Sequence, residues 1–228
     1  NSCHLNLFGG TRGEGPLRSE TRNTEPFHGI ELQLAGDVEV VRGETSEVVV
    51  EAQENLLPLL KTDIENGVLK IHFSENVSYS KDLKIRVTTP SLDEIDLMSS
   101  GTIKLVSQWE GDQLSLGISG SGDIEAMQLN GGNLECNIGG SGSIKLAGKM
   151  QNLDAGISGS GDLFAGDLVT QTAKLKVSGS GGMRVHVEQT LDANISGSGE
   201  IEYSGDARAS TKVSGSGEVK QVGGKPMM

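Results

Sequence analysis

From residue 114 onward, apolar and polar residues alternate with a strict period of two, and the alternation runs through glycine pairs without slipping. Leu114, Leu116, Ile118, Gly120, Gly122, Ile124 and Ala126 share one parity; Leu134, Cys136, Ile138, Gly140, Gly142, Ile144 and Leu146 repeat it one unit later. Such alternation predicts extended strands with one face buried. The glycines then lie on the inward row and the serines between them on the outward row. Two missing inward side chains let the chain bend, or approach another backbone where a Cβ would clash.

The unit recurs as SGSGDIE from Ser119, GGSGSIK from Gly139, SGSGDLF from Ser158, SGSGGMR from Ser178, SGSGEIE from Ser196 and SGSGEVK from Ser214, with a weaker MSSGTIK from Met98. The marker glycines are Gly101, Gly122, Gly142, Gly161, Gly181, Gly199 and Gly217, spaced by 21, 20, 19, 20, 18 and 18 residues. A fixed period near 20 is the mark of units that stack on their neighbours. Each unit reads as strand, glycine bend, strand and turn. The expected fold is all-β: a β-solenoid, parallel β-helix-like, of about seven coils of about 20 residues, with an N-terminal β-layer as its cap.

Stacking in register at about 4.8 Å makes two predictions about charge. Residues three after each marker form one outward column of Lys104, Glu125, Lys145, Phe164, Arg184, Glu202 and Lys220, which largely alternates in sign. Glu135, Asp154, Lys174 and Asp192 form a second. Opposite charges on adjacent rungs stabilise by roughly 0.2–1 kcal/mol each, so most surface charge is accounted for by the stack itself.

Before the repeats the pattern is less regular. Residues 1–26 mix Gly, Pro and charge without periodicity and read as a flexible tether. Ile30, Leu32, Leu34, Gly36, Val38 and Val40 resemble an early coil. Ser46–Glu51, Val68–Phe73 and Leu83–Thr88 are β-branched alternating runs, and Glu54–Leu60 is the one helix-like fragment, kept short by Pro58. Residues 27–95 are thus either a β-layer or diverged coils leading into a repeat solenoid over 96–228, and together 27–228 read as one continuous fold.

Composition narrows the function classes. A formal net charge of −12 argues against nucleic acid or an anionic membrane surface as partner. No apolar run is long enough to span a membrane as a helix. Cys136 falls on the buried row and reads as a core thiol. Cys3, after Ser2 and before a polar glycine-rich stretch, is the candidate lipid attachment site of a processed lipoprotein, which would make a lipid anchor the one membrane contact.

The GSGD copies invite comparison with calcium-binding nonapeptides, but those repeat every nine residues and these about every twenty. The column after the markers, Thr102, Asp123, Ser143, Asp162, Gly182, Glu200 and Glu218, reads as a solvated face that is acidic in places. His4, His28, His72 and His186 share no metal-ligand spacing. No phosphate loop occurs, and no serine comes with a base and an orienting acid. Trp109 and Tyr203 are the aromatics that could stack on a sugar, Trp109 reading first as a local plug. No cofactor, metal or catalytic residue is expected.

An entry of the form FxxIxLxLxGxVxV from Phe27, a mid-section VTTPSLDEIDLMSSG and tandem SGSGxI units resemble the putative auto-transporter adhesin head GIN domain family of Bacteroidetes, over Phe27 to Val222. The resemblance implies an exported all-β solenoid, on the surface or outer membrane or in the periplasm, and carries over no catalytic residue. Three functions follow as expectations: a non-enzymatic surface or envelope binding module, a structural or sensing domain of the periplasm, and, ranked last because basic residues are dispersed and turns short, a polysaccharide-active β-helix enzyme. The expected partner is a protein or glycan, with self-association open.

Overall fold

A computed structural model describes residues 10–78 and 83–223. Cys3 and His4 lie outside them. The described chain is all-β, and nearly all of it belongs to one 17-stranded hydrogen-bonded system. The chain order is β1 (Thr11–Arg12), β2 (Leu17–Asn23), β3 (Gly29–Leu32), β4 (Asp37–Arg42), β5 (Glu47–Gln53), β6 (Leu60–Glu65), β7 (Val68–Phe73), β8 (Val77–Ser78) and β9 (Lys84–Thr89). There follow β10 (Glu94–Leu97), β11 (Thr102–Leu105), β12 (Trp109–Ile118), β13 (Asp123–Ile138), β14 (Ser143–Ile157), β15 (Asp162–Val177), β16 (Gly182–Gly197), β17 (Glu200–Ser204), β18 (Arg208–Gly215) and β19 (Glu218–Gln221).

The long strands each wrap from one face of the solenoid to the next, so three parallel ladders run along the axis. The first ladder stacks residues such as Leu97, Ile118, Ile138, Ile157, Val177 and Ile195. A second stacks Ile103, Ile124, Ile144, Leu163, Met183 and Ile201. A shorter third ladder carries Trp109, Leu129 and Gly148 on successive rungs, then Leu168. Their inward side chains make a single thin core in which most members are fully buried.

Between the first and second ladders the chain turns through four residues at 119–122, 139–142, 158–161 and 178–181, and through Ser198 and Gly199 on the next rung, where β16 continues to Gly197. This is the SGSG corner. Differences in period are absorbed instead at register shifts between the second and third ladders, as after Ala126, Lys145 and Ala165. The corner cannot vary because its carbonyls stack. A Cβ on Gly199 would lie 2.5 Å from the carbonyl oxygen of Gly181, and one on Gly217 2.5 Å from that of Gly199. Seven marker glycines enclose six complete turns, one fewer than the number of markers suggests.

The N-terminal third departs from chain order. β3 and β4 form the rung next to β10 and β11, and a Cβ on Gly101 would meet the Gly36 carbonyl oxygen at 2.6 Å. Gly36 is therefore the marker glycine preceding Gly101 in space, though 65 residues separate them in sequence. The intervening chain goes outside: β7 and β9 pair in parallel with the far sides of β3 and β4. β5 then closes β9 antiparallel, β2 closes β5, and β6 closes β7. The hairpin between β6 and β7 turns on Asn66 and Gly67, both at positive φ, as a two-residue turn requires. Residues 27–95 are thus partly coil and partly cap, which joins the two alternatives left open by the sequence.

The tether expected over residues 1–26 is corrected from Thr11 onward, because β1 pairs in parallel with β8 and β2 is a seven-residue edge strand. It is almost wholly exposed, so no apolar alternation marks it. Its anchor is polar: Arg22 donates to the carbonyl oxygens of Leu60 at 2.7 Å and Leu57 at 2.9 Å. The helix-like Glu54–Leu60 fragment is a single turn, with the Leu60 amide donating to Leu56 O, that buries Leu56, Leu57 and Leu60.

The crossover from the outer rung back to β10 has its own fastening. Thr89, fully buried, has its hydroxyl 2.9 Å from Ser91 O and 3.2 Å from Phe27 O. The Asp93 amide donates to His28 O at 2.9 Å, and its carboxylate meets His28 Nδ1 at 2.8 Å. The TPSLD stretch holds the point where the chain passes the entry of β3.

Candidate functional site

The outward columns lie as the stacking register predicts. Lys104, Glu125, Lys145, Phe164, Arg184, Glu202 and Lys220 occupy successive rungs of the second ladder. Glu125 sits between Lys104 at 3.3 Å and Lys145 at 3.7 Å, and Arg184 reaches Glu202 at 2.5 Å. The out-of-order rungs extend the column: Glu39 pairs in register with Lys104 on one side and with Arg86, 2.6 Å from its carboxylate, on the other. This column is self-compensated: its carboxylates, Glu39, Glu125 and Glu202, each meet a neighbouring base.

The first ladder behaves differently. Beside the third face an axial groove of about 940 Å³ opens along six rungs, with Asp93 and Glu94 of the preceding rung at its N-terminal end. One wall is the column Gln113, Asn133, Asn152, Thr172, Thr190 and Arg208; the other is Ser115, Glu135, Asp154, Lys174, Asp192 and Ser210. Backbone and apolar edges of Leu114, Leu134, Leu153 and Ala173 form its floor. At about 4.8 Å per rung the groove is about 24 Å long.

The first wall is a side-chain ladder. Asn152 donates to the Asn133 carbonyl at 2.8 Å, and Thr172 Oγ1 donates to the Asn152 carbonyl at 2.7 Å. Each amide has two N–H donors, so one remains on each asparagine for a ligand. On the second wall Lys174 lies 3.7 Å from Asp154, the Glu135 carboxylate accepts from Asn137 at 2.8 Å, and Asp192 accepts from Asn194 at 2.9 Å. The wall presents donors and acceptors at the axial repeat.

Neither aromatic singled out in the sequence lines the groove. Trp109 is buried on the third face, its indole N–H without a hydrogen-bond partner, and Tyr203 is buried on the second. Trp109 is the plug, and neither ring is available to stack on a sugar.

One catalytic-looking constellation was not legible in the sequence. His186 Nδ1 lies 2.8 Å from Ser204 Oγ, and its Nε2 lies 2.7 Å from Glu188 Oε1. Nothing in the residue types announced it: His186 lies on the polar parity between buried Val185 and Val187, and it is buried where the pairing to β15 shifts register. The cluster resembles a nucleophile, base and acid, yet His186 is 4% and Ser204 8% exposed. A substrate carbonyl has no approach to the hydroxyl, and none of the grooves described here reaches it. The cluster satisfies buried polar groups where the bulge interrupts the ladder.

The column after the markers is broken up as the sequence indicates. Asp123 accepts from the Ser143 amide and hydroxyl one rung on, and Asp162 from the Gly182 amide at 3.0 Å. No group of three or more His, Cys, Asp and Glu able to hold a metal ion occurs among the described residues. Cys136 is buried, and desolvation, with Glu135 adding to it, pushes its thiol well above the usual range. No helix among the described residues is long and apolar enough to cross a membrane.

Comparison with known proteins agrees with this picture. The family model described as "Putative auto-transporter adhesin, head GIN domain" matches residues 26–207. No curated protein matches the chain. A Bacteroides fragilis structure named a putative adhesin superposes with a TM-score of 0.85 at 23% identity, covering 93% of this chain and 100% of that one. A Parabacteroides distasonis structure named a putative lipid binding protein gives 0.81 at 27% identity, with 93% and 99% covered. A Parabacteroides merdae structure, again named a putative adhesin, gives 0.78 at 25%, with 93% and 99% covered.

Proposed function

This chain belongs to the putative auto-transporter adhesin, head GIN domain family, and from that membership and the axial groove we propose that it is a non-enzymatic binding module of the cell surface or envelope that holds an extended glycan chain. The observation that carries the proposal is the groove itself: straight, open at the surface, about 24 Å long, and lined at every rung by small amide, hydroxyl or carboxylate groups. Such a surface offers a polyhydroxyl chain a hydrogen-bonding partner at each repeat. It lacks the aromatic and apolar anchors on which protein interfaces concentrate their energy.

Binding of this kind is weak per site. Without an aromatic platform, affinity rests on exposed hydrogen bonds, each worth about 0.5–1.5 kcal/mol net. An adhesin built this way works through many copies on one surface, where linkage raises avidity by factors of about 10²–10⁴. Glycan-array binding of the chain displayed multivalently tests the proposal. Retention on neutral or sparsely charged linear glycans, lost in a variant with the groove filled, is the expected result; no retention on any linear glycan overturns it. Antibody labelling of intact against permeabilised cells separates a surface location from a periplasmic one.

A further inference from the structure

Beside the groove, on the same face, lies a smaller depression of about 610 Å³ whose lining includes Asn137, Gly156, Lys176, Asn194, Ser196 and Lys212. Its charge is the reverse of the protein's. Lys174, Lys176 and Lys212 line it with Asp154 as the one acid, in a chain of net charge −12. Lys174 is spoken for by Asp154. Lys176 and Lys212 have no ion pair among the described residues.

The reason lies in the register. Lys176 pairs with Gly156 on one side and Asn194 on the other, and Asn194 pairs with Lys212. The rungs that would carry a compensating carboxylate carry a glycine and an amide. Everywhere along the Lys104 to Glu202 column, by contrast, a carboxylate lies on a rung next to a base, apart from the Phe164 rung. Gly156 also leaves a hollow beside Lys176, where its missing Cβ would stand 3.1 Å from Asn137 Oδ1. Two lysines whose backbones are two rungs, about 9.6 Å, apart flank a neutral amide, with the hydroxyls of Ser196 and Ser214 at the corner beyond. The nearest carboxylates, Asp154 and Asp192, are engaged by Lys174 and Asn194 respectively.

We propose that Lys176 and Lys212 form an anion subsite that receives a carboxylate or sulfate carried as a substituent on the glycan laid in the groove. This rests on the groove reading above. The subsite is two residues along the strand from the wall of the groove, about 6.6 Å, which is within reach of a branch sugar or an ester on the chain. The rest of the protein limits the charge the ligand can bear. Glu94, Glu135, Asp154 and Asp192 line the groove and repel a polyanion, so the ligand is a largely neutral chain with sparse acidic groups. That also disfavours an anionic membrane surface, which would meet the net negative charge as a whole.

The test is a titration of the ¹⁵N-labelled chain, followed by amide shifts at constant ionic strength, with glucose, with glucuronate and with inorganic sulfate. The expected result is a saturable shift confined to the amides around Lys176, Asn194 and Lys212 with glucuronate or sulfate and absent with glucose. It weakens at least tenfold in the Lys176→Gln, Lys212→Gln double variant and is unchanged in Lys220→Gln on another face. Shifts that are spread over all lysines, that appear equally with glucose, or that survive the double variant overturn the subsite. Sedimentation with phosphatidylglycerol vesicles that needs both lysines, without a glucuronate or sulfate response, assigns the site to a lipid phosphate and overturns the glycan assignment. A localised anion response in a protein that retains no linear glycan leaves the subsite standing and removes the groove reading instead.

Discussion

Gly199 and Gly181 stack so closely that a Cβ on the first would lie 2.5 Å from the carbonyl oxygen of the second, and also 2.5 Å from Val177 Cγ1. The neighbour is backbone on one side and a β-branched core residue on the other, so neither can move aside without breaking a rung. Gly161, whose missing Cβ would be 2.5 Å from Ile138 Cγ2 and against the Gly142 carbonyl, is placed in the same way. Gly161→Val is predicted to destabilise by about 3 kcal/mol or more, at or above the usual range for overpacking. Gly223→Ala, where nothing lies within 4 Å, is predicted to be neutral. Urea midpoints of the two variants check the prediction, and an unchanged Gly161→Val midpoint would refute the stacked-carbonyl corner.

Glu125 is less exposed than the lysines on either side of it. Removing its charge with Glu125→Gln is predicted to cost under about 1 kcal/mol, as is usual for exposed ion pairs. Glu125→Lys places three ammonium groups on consecutive rungs and is predicted to cost more, with part of the loss recovered in 1 M salt, where the Debye length falls to about 3 Å. Thermal melts at low and high salt distinguish the two variants. An equal, salt-independent effect would mean that the column is not electrostatically coupled.

Asp96 is a carboxylate on the wrong side of its environment. Desolvation, and after it the charge of Glu31 one rung away, raises its pKa from the ordinary aspartate value. A raised folded-state pKa means the folded protein binds the proton more tightly than the unfolded chain. The charged form therefore weakens the fold at neutral pH, and that penalty fades as pH falls through the folded-state value. Asp96→Asn is predicted to raise the melting temperature at pH 7 and to change it little near pH 3. A variant that is less stable at pH 7 would show that the carboxylate is favourably engaged.

Ser204 and His186 are predicted to be structural. Ser204→Ala leaves buried His186 Nδ1 without its partner, at a cost of about 1–3 kcal/mol. A fluorophosphonate probe is expected to leave the folded protein unlabelled. Stoichiometric labelling at Ser204 would reopen a hydrolase function.

Thr190 faces the groove, is exposed, and makes none of the ladder hydrogen bonds described above. Thr190→Trp fills the groove at mid-length of its C-terminal half and is predicted to abolish glycan retention while leaving the melting temperature within about 2 °C, a change of under about 1 kcal/mol. Retention equal to the unmodified chain would place the binding surface elsewhere.

Much of the architecture was legible because each repeat states the same local rule. Period-two alternation through the glycines fixed which side chains face inward, and the fixed offset from each marker fixed the charge columns, since a parallel stack pairs equivalent residues. What escaped were places where local rules are broken. β2 is polar on both sides and is held by Arg22 on backbone carbonyls, so it carries no periodic signal. His186 sits on the polar parity beside a register shift, and its burial there comes from neighbours that no local pattern announces.

The sequence by itself determined the repeating coil, its corner and its register, because a short period forces neighbours in sequence to become neighbours in space. Only the tertiary structure decided the order of the first rungs, the groove and the uncompensated lysines. The rung of β3 and β4 is completed by β10 and β11 about 65 residues later, a pairing no local pattern encodes. The groove depends on the angle at which two ladders meet. Lys176 and Lys212 stand out only when the residues on adjacent rungs, Gly156 and Asn194, are known to be uncharged, because the energy of a charge is set by what surrounds it in space.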